Sequence, residues 1–293
     1  MTTTTNMPAG TTIPLASSSS SDRPPRAPGL VRRASDVLVL TWRNLVHIAR
    51  EPLQLSDVTV QPVLFTLLFV YVFGAGVSLP GGSTYADFAI AGLLALNLTT
   101  SSMGTAVGLS NDLNSGVIDR FRTLPMWRPS VLVGRSLADL ATATICAAIV
   151  AITGLFVGWR PGGSIMSTIA GFAIFLLFAY ALSWGCACLG MVSKGPESAQ
   201  GVGLVILFPL AIVSNALVPT QRMPPILRVV ADWNPVSAVT SAARNLWHNP
   251  NPSSTIHAWP MQHPIVASLL WSGVLLIVFA PLATSLYRRR TMN

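Results

Sequence analysis

Few residues in this chain of 293 have a type and spacing suited to chemistry. A phosphate-binding loop needs a lysine followed by Ser or Thr, and the single lysine, Lys194, precedes Gly195. ATP binding of that kind is excluded for these residues. A metal site needs several His, Cys or acidic ligands at regular spacing. His248, His257 and His263 stand among prolines and asparagines with irregular spacing and no Cys or Asp set beside them, the pattern of solvated loop histidines. Hydrolysis through a covalent intermediate needs a nucleophile and a base in one buried site. No G-x-S-x-G occurs, and all four histidines, His47 included, fall outside the apolar stretches. Cys146, Cys186 and Cys188 lie within those stretches, and a C-x-C on a helix points its side chains roughly 200° apart, too far to bridge. What remains is Arg135 and Asp139, four apart, which can pair along one helix face and lower the cost of both charges near lipid. A polar run, Asn97, Thr99, Thr100, Ser101 and Ser102, also stands in apolar surroundings. Such residues either pack helices closely or line a path for a passing molecule.

The elements that must position these groups follow from composition. The chain is 51% hydrophobic, its mean hydropathy is +0.58, and only 10% of its residues are charged. A soluble domain carries about 25% charged residues, so this composition suits a protein whose solvent is partly lipid. Apolar runs of the length needed to cross a hydrocarbon core occur at 58–78, 86–109, 132–157, 166–192, 201–218 and 265–286. The sequence therefore predicts an all-α, polytopic membrane protein with six transmembrane helices. The formal charge of +8 comes from arginines scattered between apolar runs. A nucleic-acid binder would gather them on one polar face with stacking aromatics, so nucleic acid is excluded as a partner. Residues 1–31 are rich in Thr, Ser and Pro and lack the features of a signal peptide, which predicts a disordered tail.

Orientation follows from the arginines and the lysine. With six spans both termini share a side. That side would hold Arg23, Arg26, Arg32, Arg33, Arg43, Arg50, Arg120, Arg122, Arg128, Arg135, Lys194 and Arg288 to Arg290, against Arg160, Arg222, Arg228 and Arg244 on the other. The positive-inside rule places both termini in the cytoplasm. Within 32–52, Leu38, Trp42, Leu45 and Ala49 share one helical face, while Arg33, Asp36, Arg43, His47 and Arg50 share the opposite one. Glu51-Pro52 ends that helix. An apolar stripe with Trp opposite an arginine-rich face predicts a helix lying in the membrane interface. In the cytoplasmic connection, over 111–125, Leu113, Val117, Phe121 and Leu124 form a second stripe, and Asp119, Arg122 and Thr123 face away from it. Pro125 ends this short amphipathic helix. Its ridge either grips a partner or rests on the membrane surface.

The segment "GVIDRFRTLPMWRPSVLVGRSLADL" resembles the signature of ABC-2 type permeases, in particular the antibiotic-transport permeases of the daunorubicin-resistance kind. The likeness extends over about 250 residues, from the interfacial helix to the last span, and includes "MPPILRVVADWNPVSAVTSAARNL". One departure is the family's glutamate before the signature glycine, where this chain has Asp112 and Asn114. The resemblance implies a bacterial plasma-membrane subunit that works with a separate ATPase subunit, ATP and magnesium sitting on that partner and no cofactor on this chain. It implies that residues 32–52, with Leu38, Trp42, Arg43, Leu45, Arg50 and Glu51, form the elbow helix. The coupling helix would comprise Leu113, Gly116, Val117, Asp119, Arg120, Phe121, Arg122, Leu124 and Pro125 and dock on the ATPase. Two such permeases, identical or similar, would flank a path lined by the second and fifth spans. Its candidates are Asn97, Thr100, Ser101, Phe208 and Asn215.

The external segment, about 219–264, carries two helix starts: Pro225 at a first helical position, and Asn234-Pro235 as N-cap and first-turn proline. Its short helices either dip back toward the membrane in re-entrant fashion or cap the bundle. The resemblance assigns an external gate there, with Trp233, Asn234, Pro235 and Arg244 as candidates. An ion-gradient-driven carrier is the competing expectation. It would place an ionisable residue at mid-membrane, whereas Asp57, Asp87 and Asp139 all stand near span ends. The path candidates are hydroxyls, amides and apolar groups with no charged pocket. They predict a lipophilic or amphiphilic substrate, drug or lipid; the resemblance implies that the transport is export and that the subunit has no enzymatic activity of its own.

Overall fold

The computed structural model describes residues 37–39, 41–46, 50, 52–74, 84–115, 130–251 and 258–292. Every regular element among the described residues is helical. A helical stretch at Val37–Val46 precedes α1 (Pro52–Val58) and α2 (Val60–Leu68), which runs into a π-helical turn at Phe69–Phe73. Next come α3 (Tyr85–Ser101) and α4 (Met103–Asn114), which meet at Ser102 to form the second apolar run. Helices α5 (Ser130–Val157) and α6 (Ile165–Val192) follow as a long pair. The chain continues through α7 (Pro196–Ile212), a 3-10 turn at Thr220–Arg222, α8 (Pro225–Trp233), α9 (Pro235–Leu246), α10 (Trp259–Gln262) and α11 (Pro264–Met292).

Among the described residues, four helices are long and apolar enough to cross a membrane: Tyr85–Asn114, Leu132–Val157, Ile165–Val192 and Pro264–Arg289. The apolar runs at 58–78 and 201–218 yield shorter helices, Val60–Phe73 and Pro196–Ile212. At 1.5 Å per residue Val60–Phe73 reaches only about 21 Å. The π turn widens its C-terminal end, leaving Phe69 and Phe73 stacked with ring centroids 5.1 Å apart. In α7 the interior proline Pro209 takes one amide out of the ladder, and the helix stops at Val213.

The α3–α4 pair is the axis of the bundle. It packs against α2, α5, α6, α7 and α9, and from Tyr85 to Thr99 every residue but the partly exposed Asp87 is buried. A helix apolar all round has to be enclosed by protein or lipid; here protein encloses it. Gly92 permits one of the closest approaches, because a Cβ there would run into the carbonyl of Ala216. Helices α5 and α6 flank the axis and α11 packs on α6. By contrast α7 buries only the stripe Ala199, Gly203, Leu207 and Ala211 against it, leaving Val205 and Phe208 exposed.

At the end of the bundle where α3 begins, α9 is buried on all sides from Val236 to Arg244. Its position follows from local rules. Pro235 presets the first turn, and the Asn234 side chain caps it by accepting from the Val236 amide at 2.8 Å. Trp247 then closes α9 against Trp159, Phe172 and Phe175, ring centroids 5.0 to 5.8 Å away.

Candidate functional site

The end of the bundle where α4 finishes and α5 begins holds a four-charge cluster built from three elements. Arg135, on the first turns of α5, aims its guanidinium at α4. It donates to the Gly104 carbonyl at 2.9 Å and lies 3.7 Å from the Asp112 carboxylate and 3.6 Å from that of Asp139. Gly108 makes room for it, since a Cβ at that position would fall inside the guanidinium. On the other side Asp112 meets Arg43 of the N-terminal helical stretch at 3.7 Å. The Thr105 hydroxyl donates to Asp139 at 2.7 Å. The N-terminal stretch is further tied to α5 by the Thr41 hydroxyl, 3.2 Å from the Gly134 carbonyl. The i,i+4 pair expected between Arg135 and Asp139 is thus one edge of a larger network. Sequence reading set Asp112 and Arg43 in separate elements and left out Thr105, Gly104 and Gly108. Of the two glycines only Gly108 stands at a close approach, and nothing in the local sequence sets it apart from Gly104.

At the opposite end of the bundle a second cation has different surroundings. Arg244 is 0% exposed. Its Nε and Nη2 donate to the Phe88 carbonyl at 3.1 and 2.9 Å, Nη1 donates to Asn215 at 3.0 Å, and Nη2 donates to Ala216 at 2.8 Å. The guanidinium also stacks on the Phe88 ring, 3.7 Å from its centroid. Burial pulls its pKa down to about 9, still above neutral pH, while Tyr85 acts in the opposite direction. Three main-chain carbonyls and an aromatic face therefore hold one buried charge. The contact joins α3, the turn after α7, and α9. Asn234 reinforces it, its side-chain amide donating to the Leu210 and Val213 carbonyls at 2.7 and 2.6 Å. Trp233, two-faced between α8 and α9, is half exposed, and Pro235 is partly buried. Burial raises the pKa of Asp232, against the hydrogen bond from Thr220 and the charge of Arg228.

The path candidates separate in space. Asn97 is buried and its amide donates to the Leu93 carbonyl at 2.8 Å; Asn215 is buried beneath α9, donating to Ser241 at 2.6 Å. Thr100 is partly buried and Ser101 exposed, both hydroxyls turned to carbonyls of their own helix. Phe208 stands out on α7, half exposed. Asn97 and Asn215 are therefore interior packing groups in this arrangement, and Phe208 faces outward on a different helix. Of the elbow residues, Leu38 and Trp42 are exposed, Arg43 and Leu45 partly buried, and Arg50 exposed; Glu51 lies outside the described residues. Leu113 ends α4 packed against the cluster of Leu109, Leu132 and Trp184. Gly116, Val117, Asp119, Arg120, Phe121, Arg122, Leu124 and Pro125 lie outside the described residues.

Residues 35–247 match the family described as ABC-2 type transporter. The chain is 32% identical over 275 residues to a daunorubicin resistance ABC transporter permease protein of Streptomyces coeruleorubidus, an alignment covering 94% of this chain and 92% of that protein. It is 25% identical over 278 residues to a probable doxorubicin resistance ABC transporter permease protein of Mycobacterium tuberculosis, covering 92% and 96%. A putative transport permease of Porphyra purpurea is 26% identical over 217 residues, covering 73% and 74%.

Proposed function

Because this chain belongs to the ABC-2 type transporter family, we propose that it is the membrane permease subunit of an ATP-driven exporter for a lipophilic or amphiphilic compound, drug or lipid. It is a multi-pass membrane protein similar to drug-resistance permeases over nearly its full length. That similarity is the observation that carries the reading. In it the chain has six spans, Val60–Phe73 and Pro196–Ile212 serving as the first and fifth, and both termini face the cytoplasm of a bacterial cell. A separate P-loop ATPase supplies the energy and carries ATP and magnesium. A second permease, a copy or a similar chain, completes the path.

The mechanism is mechanical. Residues 111–125 dock on the ATPase, with Phe121 as the anchor, since an aromatic side chain in a partner's pocket often dominates binding. Displacement of that segment reaches α4, whose last residues, Asp112 to Asn114, are continuous with it. The ion pairs from Asp112 to Arg43 and Arg135 give the displacement a route into the N-terminal stretch and α5. At the outer end, Arg244 and Asn234 join α9 to α3 and to the end of α7, so motion of the axis is felt by the external helices. The outward surface of α7, with Val205 and Phe208, supplies an apolar wall for the substrate.

The reading is tested by recovering tagged protein from native membranes in mild detergent and identifying co-purifying chains by mass spectrometry. Recovery of a P-loop ATPase supports it. A second, different permease indicates a heteromeric pair. Absence of any ATPase, under conditions that preserve a known complex of this kind, overturns it in favour of ion-gradient-driven transport.

A further inference from the structure

Helix α8 is folded inside out. At 100° per residue, Ile226, Val229, Val230 and Trp233 fall within about 100° of its circumference, and Arg228, Ala231 and Asp232 share the opposite side. On a water-soluble surface the charged side would face outward. Here it faces the protein. Asp232 is buried and accepts from the Thr220 hydroxyl at 2.9 Å, and Arg228 Nη2 donates to the Gln221 and Met223 carbonyls at 2.7 and 3.2 Å. The apolar residues are the ones left open. Ile226 is 81% exposed, and Val229, Val230 and Trp233 are each more than half exposed.

The position of α8 says what covers this face. Only Asn234 separates it from α9, and the Asn234 side chain is fastened to the Leu210 and Val213 carbonyls at the end of α7. Arg244 of α9 reaches the Phe88 carbonyl in the first turn of α3. Trp247 donates to the Thr168 carbonyl in the first turn of α6, at 3.1 Å. Both α3 and α6 belong to helices long and apolar enough to cross a membrane. The α8–α9 pair therefore stands level with the ends of spanning helices, where hydrocarbon gives way to headgroups. Helix α10 packs against both α8 and α11, and Trp259 of α10 and Ile265 and Val266 at the start of α11 are exposed as well. The apolar face of α8 thus continues the lipid-facing surface of α11. Trp233 suits that boundary, since an indole pairs an apolar body with a polar tip. A second protein fits less well, because a stable interface takes about 20–30 residues from each side and this stripe offers four.

We propose that α8 lies in the membrane interface of the leaflet nearest the start of α3, with Ile226, Val229, Val230 and Trp233 immersed among lipid chains. Its neighbour α9 is enclosed by protein and does not touch lipid along Val236 to Arg244. Through Asp232, Arg228 and Asn234 the leaflet then steadies the 3-10 turn and the end of α7. The proposal rests on the chain's being a membrane protein and on neither an ATPase nor a substrate, so it stands or falls separately from the pull-down.

Ile226→Cys and Val230→Cys are made one at a time in the full chain, spin-labelled and reconstituted in lipid nanodiscs. The native cysteines, Cys146, Cys186 and Cys188, are buried and escape the label. Ile277→Cys, on the exposed face of α11, gives a lipid-facing reference. Collisions are measured with oxygen, which concentrates in lipid, and with a nickel chelate, which stays in water; thermal midpoints show that each labelled bundle is folded. Both labels on α8 should be reached more by oxygen than by nickel, as at Ile277, and lie about 5–10 Å below the phosphates. Free access of nickel to both labels overturns the proposal and places α8 in water. Low access to both reagents overturns it too and assigns the face to a second permease.

Discussion

Replacing Arg244 by methionine tests the clamp that joins α3, the turn after α7, and α9. Methionine keeps much of the side chain's length and removes the charge and all its donors. Three carbonyls, those of Phe88, Asn215 and Ala216, lose their guanidinium partner. The Phe88 carbonyl lies inside α3 and keeps a helical partner, but Asn215 and Ala216 belong to the turn after α7. Leaving a buried acceptor unsatisfied costs about 1–3 kcal/mol. Loss of the stack on Phe88 costs roughly 0.5–2 kcal/mol more. Removing a buried charge recovers part of this through relieved desolvation. The net expectation is a destabilisation of about 2–5 kcal/mol. For a chain of this size that lowers the thermal midpoint by roughly 5–15 °C. The assay is fluorescence-detected thermal unfolding of protein in nanodiscs. Arg244→Lys serves as the second arm. It restores a charge but not the fork that reaches three carbonyls at once, so its midpoint should fall between the other two. A methionine variant melting within about 2 °C of the parent would refute the claim that these hydrogen bonds hold α3, α9 and the turn after α7 together.

Two further outcomes are expected. Gly108→Ala pushes a methyl group into the Arg135 guanidinium, whereas Gly104→Ala, four residues earlier on α4, meets nothing within 4 Å. The first should lower the thermal midpoint, and the second should leave it unchanged or raise it slightly, by about 0.5–1 kcal/mol of helix propensity. Equal effects would remove the close approach of Arg135 to α4. Phe121→Ala should uncouple transport from ATPase activity while the protein still reaches the membrane. Flux and ATP hydrolysis measured together in vesicles check this, and unchanged coupling removes the docking role given to Phe121.

Helix class and the membrane setting were legible because apolarity accumulates locally along the chain. The boundaries of the long helices lie close to those read from hydropathy, as with 166–192 against Ile165–Val192. The runs at 58–78 and 201–218 were less legible. Hydropathy records the apolar residues but not the π turn at Phe69–Phe73 or the stop at Val213. Capping at Asn234 was legible too, since an N-cap followed by proline acts within two residues. The surroundings of Arg244 were not. Phe88 lies 156 residues away in the chain, and nothing in the local sequence says that its carbonyl is the partner.

The sequence alone determines which residues are apolar, which segments become helices, that no P-loop lysine is present in these residues, and which family the chain belongs to. All of these are sums or patterns over short spans. Only the tertiary structure decides that Asp112 stands between Arg43 and Arg135, that Arg244 is enclosed, and that hydroxyls of the α3–α4 junction, α5 and α6 line one small cavity with Asp139. Those arrangements depend on which helices become neighbours, and packing settles that over the whole bundle at once. A charge acquires its role from the partners that packing places around it.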